Sequence, residues 1–257
     1  PVQQTAHLLD QLRAEAAPAE GETLHFRVAL AGHCGAALFE RFTEPMRLKY
    51  TAFWPDAEAV AAFVRGNHAE LVARSRSFDG LFAESDLPQA AADTLAQAFQ
   101  SYLICTMWCV PVAPGGRAPA EWFSVWEGSC WYNSTVDVTF NEAPFYFAFW
   151  PGLLELIFKE WSEHANDAAM ERRRAADAAT GSNHAPYPVD DFPGAILEHD
   201  MGAGWTANGQ SYHHAMPVEE NANFLLLLFA HGRWWDRTDL FGTYHDLAQR
   251  LVAYLLW

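Results

Sequence analysis

The spacing of apolar residues changes near residue 55. Before this point, residues 24–30 and 47–53 alternate between apolar and polar side chains, which is typical of half-buried strands. After it, apolar residues recur at intervals of three and four, which indicates amphipathic helices. We therefore expect residues 1–50 to be the end of an N-terminal β-rich region and residues 51–257 to be mainly helical.

The helical segments come in successive pairs with polar connections between them. Helices are predicted at residues 4–17, 56–72, 85–103, 144–161, 217–231 and 239–255, with a new helix starting at Pro151. Residues 167–179 are expected to be a charged helix or a solvated face. A small hairpin is expected to bend at Gly115-Gly116 and to return through residues 122–126. Because the chain has no βαβ rhythm, the pairing predicts a mainly α fold, the first part of an (α/α)6 toroid that is incomplete here.

The chain carries a strong negative charge. Its 16 basic and 32 acidic residues give a formal net charge of -16, which disfavours binding to nucleic acid or to anionic membranes. The longest strictly aliphatic run, Leu225–Leu228, is too short to span a bilayer. A neutral small molecule or oligosaccharide is the expected partner, and the sequence leaves the oligomeric state open.

Cysteine usage favours a reducing compartment. The four cysteines form no CxxC pair and no zinc-ligand spacing, so free thiols are expected, as in a cytoplasmic protein. The chain begins with Pro1 rather than Met and ends at Trp257 within an apolar helical pattern, which predicts a fragment of a longer protein. The localisation therefore stays open.

Residues 121–138 combine large aromatic side chains with two acids. Glu127 precedes Gly128, where the backbone can turn sharply, and Asp137 lies between two valines. Aromatic faces stack on pyranose rings, and carboxylates bind sugar hydroxyls or act on the glycosidic bond. The stretch therefore predicts the floor of a glycosidase active site. The alternatives are a solvated acid at a strand end for Glu127 and a structural carboxylate for Asp137.

Two later clusters carry further candidate side chains. They are His199-Asp200, in a predicted short strand and loop, and His213-His214 followed by Glu219-Glu220. A proline followed by two acids is also ordinary chemistry for a helix N-terminus, so a structural role for both glutamates stays open. No pair has the HExxH spacing and no G-x-S-x-G sequence occurs, so no metal, cofactor or serine nucleophile is predicted.

Several motifs in these segments occur together in a known group of enzymes. They are Ser85-Asp86-Leu87-Pro88, Glu127-Gly128, Asn133-Ser134-Thr135-Val136-Asp137-Val138, Trp150-Pro151-Gly152-Leu153, His199-Asp200-Met201-Gly202 and Glu219-Glu220-Asn221. In this order, over about residues 50 to 250, the chain resembles the six-hairpin glycosidases of family 116 (the bile-acid β-glucosidase group) and family 52 (β-xylosidases). Residues 199–220 are also similar to the central domain of glutaminase-A-like proteins.

The resemblance implies a retaining exo-β-glycosidase that hydrolyses a neutral glycoside. Glu127 would be the nucleophile, and Glu219 or Glu220 the acid/base, unless that acid lies beyond Trp257, since the Tyr-Asp motif that carries it in those families is not found here. The implied substrate-binding residues are Trp126, Trp131, Asn133, Thr135, Asp137, His199, Asp200, His213, His214 and Glu220. A glutaminase-A-like amidase and a non-catalytic carbohydrate-binding toroid are the alternatives.

Overall fold

A six-stranded sheet forms the centre of the computed structural model, which describes residues 31–35, 38–42, 44–112, 121–128, 130–168, 191–214 and 216–257. Its strands are β1 (Phe39–Arg41), β2 (Glu44–Leu48), β3 (Thr106–Pro111), β4 (Trp122–Glu127), β5 (Tyr132–Asn133) and β6 (Thr206–Ala207). They lie in the order β5-β4-β3-β2-β1-β6. Every neighbouring pair is antiparallel except β1 and β6, which are parallel.

Alternation along β2 and β3 buries one face of the sheet. Met46, Met107 and Cys109 lie in the core, whereas Trp108, between the last two, is partly exposed. In β4, residues 122–125 are all buried. A strand covered on both faces reads as a nearly continuous apolar run, and the sequence Trp-Phe-Ser-Val-Trp fits that position.

The two outer strands of the sheet meet, so the sheet nearly closes into a barrel. Tyr132 of β5 forms an antiparallel bridge with Ala203, and the amide of Asn133 donates to the carbonyl of Gly202 at 2.8 Å. The side-chain Nδ2 of Asn133 donates to the carbonyl of Thr206 in β6 at 2.9 Å. These bonds bring the loop before β6 against β5.

Helices make up most of the rest of the described chain. They are α1 (Ala57–Ala83), α2 (Gln89–Ile104), α3 (Val136–Phe149), α4 (Pro151–Glu163), α5 (Pro217–Trp235), α6 (Asp239–Thr243) and α7 (His245–Leu255), with a 3-10 turn at Lys49–Ala52. Helix α4 packs on β4, and α5 packs on α3, α4 and α7. Phe158 of α4 contacts Phe224 of α5 with ring centroids 5.6 Å apart. Burial of each such side chain contributes about 1.5–3 kcal/mol.

Helices α1 and α2 form a hairpin that is largely exposed. Asp56 caps α1 by accepting a hydrogen bond from the amide of Ala59 at 2.8 Å. Phe78 and Phe99 join the two helices with ring centroids 4.4 Å apart. Helix α1 has no fully buried residue along its whole length, so this hairpin contributes little to the central core.

The predicted mainly α fold, an (α/α)6 toroid with a short β-rich N-terminal piece, is wrong. Helices make up 57% of the described residues, and the framework between them is the mixed sheet that nearly closes into a barrel. Its strands have two to six residues each. Segments this short do not sustain a period of two long enough to distinguish a strand from a loop. Strands from both sides of residue 50 also join the same sheet.

Several local predictions are confirmed and others are wrong. The helix starts at Asp56, Pro151 and Pro217 are confirmed. The strand expected at residues 47–53 ends at Leu48, because the 3-10 turn follows directly. Helix α3 begins at Val136, eight residues before the predicted start at Pro144, and it contains that proline.

Other predictions lie outside the described residues. They are the helix at 4–17, the strand at 24–30, the bend at Gly115-Gly116 and nearly all of the charged helix or solvated face at 167–179. Within the described ranges, no helix is both long and apolar enough to cross a membrane.

Candidate functional site

A tight turn at the end of β4 brings Glu127 next to the start of helix α3. Glu127 is the last residue of β4, and its carbonyl accepts from the amide of Trp131 at 2.9 Å. Gly128, with φ of 22°, allows the reversal. The chain returns through β5 and reaches Thr135, whose Oγ1 donates to Oε2 of Glu127 at 3.3 Å. The turn thus joins a partly exposed carboxylate to the residue that precedes α3.

Helix α4 binds the two segments on either side of this turn. Glu160 is fully buried and accepts hydrogen bonds from the amide of Phe123, at 2.7 Å, and from Oγ of Ser134, at 2.9 Å. Nε1 of Trp161 donates to the carbonyl of Ser134 at 2.8 Å. Burial raises the pKa of Glu160 to about 8, although both hydrogen bonds oppose the shift. These contacts hold Ser134, which has a positive φ of 49°, in place before α3.

The first turn of α3 presents Asp137 at the edge of the site. A carboxylate in the first helical turn is stabilised by the free amides and by the helix dipole, and Oδ1 accepts from the amide of Val138 at 2.8 Å. The amide of Val136 donates to the carbonyl of His199 at 2.9 Å, which ties the helix start to the segment before β6. The Asp137 side chain is 30% exposed and can therefore contact both solvent and the buried groups behind it.

His199 and Asp200 form a buried pair. Nδ1 of His199 lies 3.0 Å from Oδ2 of Asp200. The same carboxylate accepts from the backbone amides of Gly202, Ser211 and Tyr212 at 3.0, 2.8 and 3.0 Å. Because a carboxylate only accepts, we assign the proton on the imidazole to Nδ1. Nε2 of His199 is then the ring atom that faces Asp137, at 3.9 Å.

Glu219 and Glu220 begin α5 but face opposite environments. Glu219 is exposed, whereas Glu220 is fully buried. Burial raises the pKa of Glu220 to about 9, and the charges of Asp137 and Glu219 add to the shift. Nδ2 of Asn223 donates to Oε2 of Glu220 at 3.4 Å. No described residue donates a hydrogen bond to the buried Oε1.

Asp137, His199 and Glu220 converge on one point. One carboxylate oxygen from each acid and one ring nitrogen of His199 lie within 4.8 Å of one another. In the part of the chain that the structure describes, this is the one group of three His, Cys, Asp or Glu side chains close enough to share a cation. The three residues come from α3, from the segment before β6 and from α5, so the site depends on the tertiary fold.

Two tyrosine rings flank His199. The rings of Tyr132 and Tyr212 lie with centroids 6.1 and 4.5 Å from that of His199, and 5.6 Å from each other. The pKa of Tyr132 is raised, first by desolvation and then by neighbouring acids, so its hydroxyl stays neutral. His213 and His214 are exposed and lie against Tyr212, with centroids 4.7 and 5.6 Å away.

The tryptophans of the predicted active-site floor lie on the other face of the β4–β5 pair. Residues alternate along a strand, so Trp126 and Glu127 point to opposite sides. Trp126 stacks on Trp131 with centroids 5.4 Å apart and meets Trp205 edge-on at 4.9 Å. Asn133, paired with Trp126, is fully buried and bonds to the backbone before β6. Trp126 and Asn133 thus have structural contacts of their own on that face.

The structure brings together some of the sequence-predicted site residues. Asp137, His199, Asp200 and Glu220 form one cluster. Glu127 is linked to it by the hydrogen bond from Thr135, which directly precedes the helix of Asp137. The exposed residues His213, His214 and Glu219 lie around Tyr212 and at the first turn of α5. Trp126, Trp131 and Asn133 lie on the opposite face.

Three residues of the site were missed in the sequence. Gln210 accepts from the amide of His199 at 2.9 Å and donates to the carbonyl of Tyr212 at 2.8 Å, while Tyr132 and Tyr212 flank the imidazole. A hairpin with its turn at residues 128–131 pairs Glu127 with Tyr132, and that register would have placed the two side chains together. Nothing in the sequence distinguishes Gln210 from a surface glutamine.

The sequence matches no protein-family model and has no significant match among curated proteins.

Proposed function

We propose that this protein is an exo-acting glycoside hydrolase for a neutral substrate and that it works with retention of configuration. One observation carries the proposal: a partly exposed carboxylate, Glu127, pairs across the strands with Tyr132, whose ring and that of Tyr212 flank the polar cluster of Asp137, His199 and Asp200. Carbohydrate sites need this combination of reacting acids, hydroxyl-binding groups and aromatic faces. The net charge of -16 also suits a neutral rather than an anionic substrate.

Glu127 has the properties of a nucleophile. Its side chain is partly exposed, and Thr135 donates one hydrogen bond to Oε2. A hydroxyl donor orients a carboxylate, and the other oxygen of Glu127 would then attack the substrate. The position at the end of β4, held by the turn and by α4 beneath it, limits the motion of the backbone that carries this group.

In the proposed reaction, Glu127 attacks the anomeric carbon while Glu219 donates a proton to the leaving oxygen. The products of this step are a glycosyl-enzyme ester and the free alcohol. Glu219 then takes a proton from water, which attacks the same carbon and releases the sugar and the Glu127 carboxylate. Retention requires the two carboxyl groups to work about 5–5.5 Å apart with substrate bound.

Asp137 and His199 are proposed to bind hydroxyl groups of the sugar. Asp137 is the partly exposed member of the cluster, and Nε2 of His199 faces it at 3.9 Å. Tyr132 and Tyr212 offer ring faces and hydroxyl groups beside His199. Groups that hydrogen-bond a substrate hydroxyl discriminate strongly against analogues that lack it, because they are otherwise left unpaired.

The decisive experiment replaces Glu127 by glutamine and measures hydrolysis of aryl β-glucosides and β-xylosides. The substitution keeps the size of the side chain and a hydrogen-bond acceptor for Thr135, so the protein should fold normally while kcat falls by at least about a thousandfold. Glu58→Gln, on the exposed first turn of α1, is the matched control and should retain full activity. In Glu127→Ala, added azide should restore turnover and yield a glycosyl azide of inverted configuration.

Other outcomes favour other functions. An unchanged rate in Glu127→Gln contradicts the proposal. Release of ammonia from glutamine, without turnover of any glycoside, favours an amidase. Saturable binding of a sugar by the wild-type protein, with no turnover of glycoside or glutamine, favours a carbohydrate-binding protein that lacks catalysis.

A further inference from the structure

The buried cluster has the ligand chemistry of a metal site. Asp137, His199 and Glu220 offer two carboxylate oxygens and one imidazole nitrogen within 4.8 Å of one another. We infer that these three side chains bind one divalent transition-metal ion of the kind that accepts mixed nitrogen and oxygen ligands, such as Mn²⁺ or Zn²⁺. No such site was expected from the sequence, because the three ligands are far apart in the chain and show no metal-binding spacing.

The hydrogen bonds around His199 prepare it as a ligand. In metal sites, the ligating histidine usually donates its other ring N–H to a carboxylate, which fixes the tautomer and orients the ring. Asp200 takes that position, with Oδ2 3.0 Å from Nδ1 of His199. Asp200 is itself held by backbone amides, including that of Tyr212 at 3.0 Å. Nε2 of His199 is therefore presented toward Asp137 as a lone-pair donor.

Glu220 supplies the second, independent observation. Its side chain is fully buried, and no described residue donates a hydrogen bond to its Oε1. A buried carboxylate oxygen without a partner costs free energy, so proteins rarely keep one unless something else satisfies it. A cation held with Asp137 and His199 would satisfy that oxygen.

The geometry suits a small cation after a modest contraction. Bonds of about 2.0–2.2 Å place neighbouring ligand atoms about 3.0–3.5 Å apart. Nε2 of His199 and Oδ1 of Asp137 are 3.9 Å apart, so this pair would close by less than about 1 Å. All three ligand atoms lie within 4.8 Å of one another, so no pair would close by more than about 2 Å. Asp137 is partly exposed and can move. Three protein ligands leave further coordination positions on the side where Asp137 meets solvent. Water or a sugar hydroxyl would occupy these positions, so that Asp137 and His199 would bind the sugar through the ion.

The test measures metal binding directly and does not require a known substrate. The full chain is freed of metal with a chelator and titrated with Mn²⁺ by electron paramagnetic resonance and with Zn²⁺ by calorimetry. We expect one saturable site per chain in the wild type. Asp137→Asn should weaken binding at least about tenfold, and Glu220→Gln should weaken it at least as much. Asp137→Asn changes a partly exposed residue, so its result remains informative if Glu220→Gln fails to fold.

Glu58→Gln is the matched control, because it makes the same change on an exposed glutamate in the first turn of another helix, α1. It should bind metal like the wild type. The inference is overturned if the metal-free wild type shows no saturable binding of either ion. It is also overturned if binding survives in Asp137→Asn and Glu220→Gln but disappears in His213→Asn or His214→Asn, which would assign the ion to exposed histidines.

Metal binding and glycoside turnover can fail independently. A chain that hydrolyses glycosides but binds no metal supports the proposed function and contradicts this inference. A chain that binds one metal ion through Asp137 and Glu220 but turns over no glycoside supports this inference and contradicts the proposed function.

Discussion

The carboxylate of Asp200 holds the imidazole of His199 through a 3.0 Å contact between Oδ2 and Nδ1. Its remaining hydrogen bonds come from three backbone amides, of which Ser211 and Tyr212 belong to the far side of the loop that contains β6. One buried side chain therefore sets both the orientation of a site residue and the path of the loop around it.

Replacing Asp200 by alanine should destabilise the protein strongly. The change leaves three backbone amides, one of them in a buried bond, and one ring nitrogen without their acceptor, so we expect the free energy of unfolding in urea to fall by about 3 kcal/mol or more. Asp246→Ala, which removes an exposed carboxylate from α7, should change it by less than about 0.5 kcal/mol. A loss of less than about 1 kcal/mol in Asp200→Ala would contradict this role.

Two glycines in the same loop should respond differently to alanine. At Gly202, which has φ of 141°, a Cβ would lie 2.3 Å from the carbonyl oxygen of Thr206. At Gly204, which has φ of 61°, a Cβ would meet no atom within 4 Å. We expect Gly202→Ala to cost more than about 2 kcal/mol and Gly204→Ala about 1 kcal/mol, the ordinary penalty of a left-handed residue.

Urea unfolding of both variants checks the comparison between Gly202 and Gly204. Because the clash at Gly202 involves the backbone of β6, no change of side-chain rotamer can relieve it. Equal losses in the two variants would mean that the β6 backbone can shift away from Gly202.

Glu160 should make the protein less stable as the pH rises. Its pKa is raised from 4.5 to about 8 in the folded state, so between these values the native protein holds a proton that the unfolded chain has released. Unfolding then releases a proton, and the free energy of unfolding falls with pH by up to about 1.4 kcal/mol per pH unit. This stability is complete below pH 4.5 and is lost as the pH approaches 8.

Glu160→Gln provides the measurement. Glutamine keeps an acceptor for the amide of Phe123 but has no proton to lose, so its unfolding free energy should lack this pH dependence. Urea unfolding at several pH values between about 5 and 8 gives the unfolding free energy of both proteins. That of the wild type should fall relative to that of the variant as the pH rises. Parallel curves for the two proteins would show that Glu160 is ionised in the native state.

Glu219→Gln should slow turnover in a way that depends on the leaving group. A proton donor matters most when the leaving alcohol is a poor one, so hydrolysis of alkyl glycosides should fall by about 10²–10⁴-fold. Dinitrophenyl glycosides leave without protonation, and their rate of bond cleavage should change much less. Steady-state kinetics with a series of aryl leaving groups checks this, and an equal loss across the series would contradict the role of Glu219.

Features set by neighbouring residues could be predicted from the sequence. Asp56 and Pro151 mark helix starts through local backbone chemistry, and both positions are confirmed. The sheet was missed because its pairing is not local. β6 has only two residues and is a strand because β1, near the other end of the described chain, lies beside it. No pattern within the segment itself carries that information.

The same limit applies to the candidate site. The sequence singled out Glu219 and Glu220 together, and their positions on the helix separate them by about 100°. Which of them is buried depends on what α5 packs against, and only the fold shows that Glu220 faces Asp137 and His199. By contrast, the opposite directions of Trp126 and Glu127 follow from strand alternation alone.

The bonds of Asn133 to the segment before β6 have a consequence for solubility. A sheet with free outer strands exposes unpaired amides and carbonyls, to which a strand of another chain can add. Here the amide and side chain of Asn133 occupy the carbonyls of Gly202 and Thr206, and its own carbonyl accepts from Met201 at 2.9 Å. Each outer strand thus blocks the other, and we expect this buried asparagine to disfavour edge-to-edge pairing between chains.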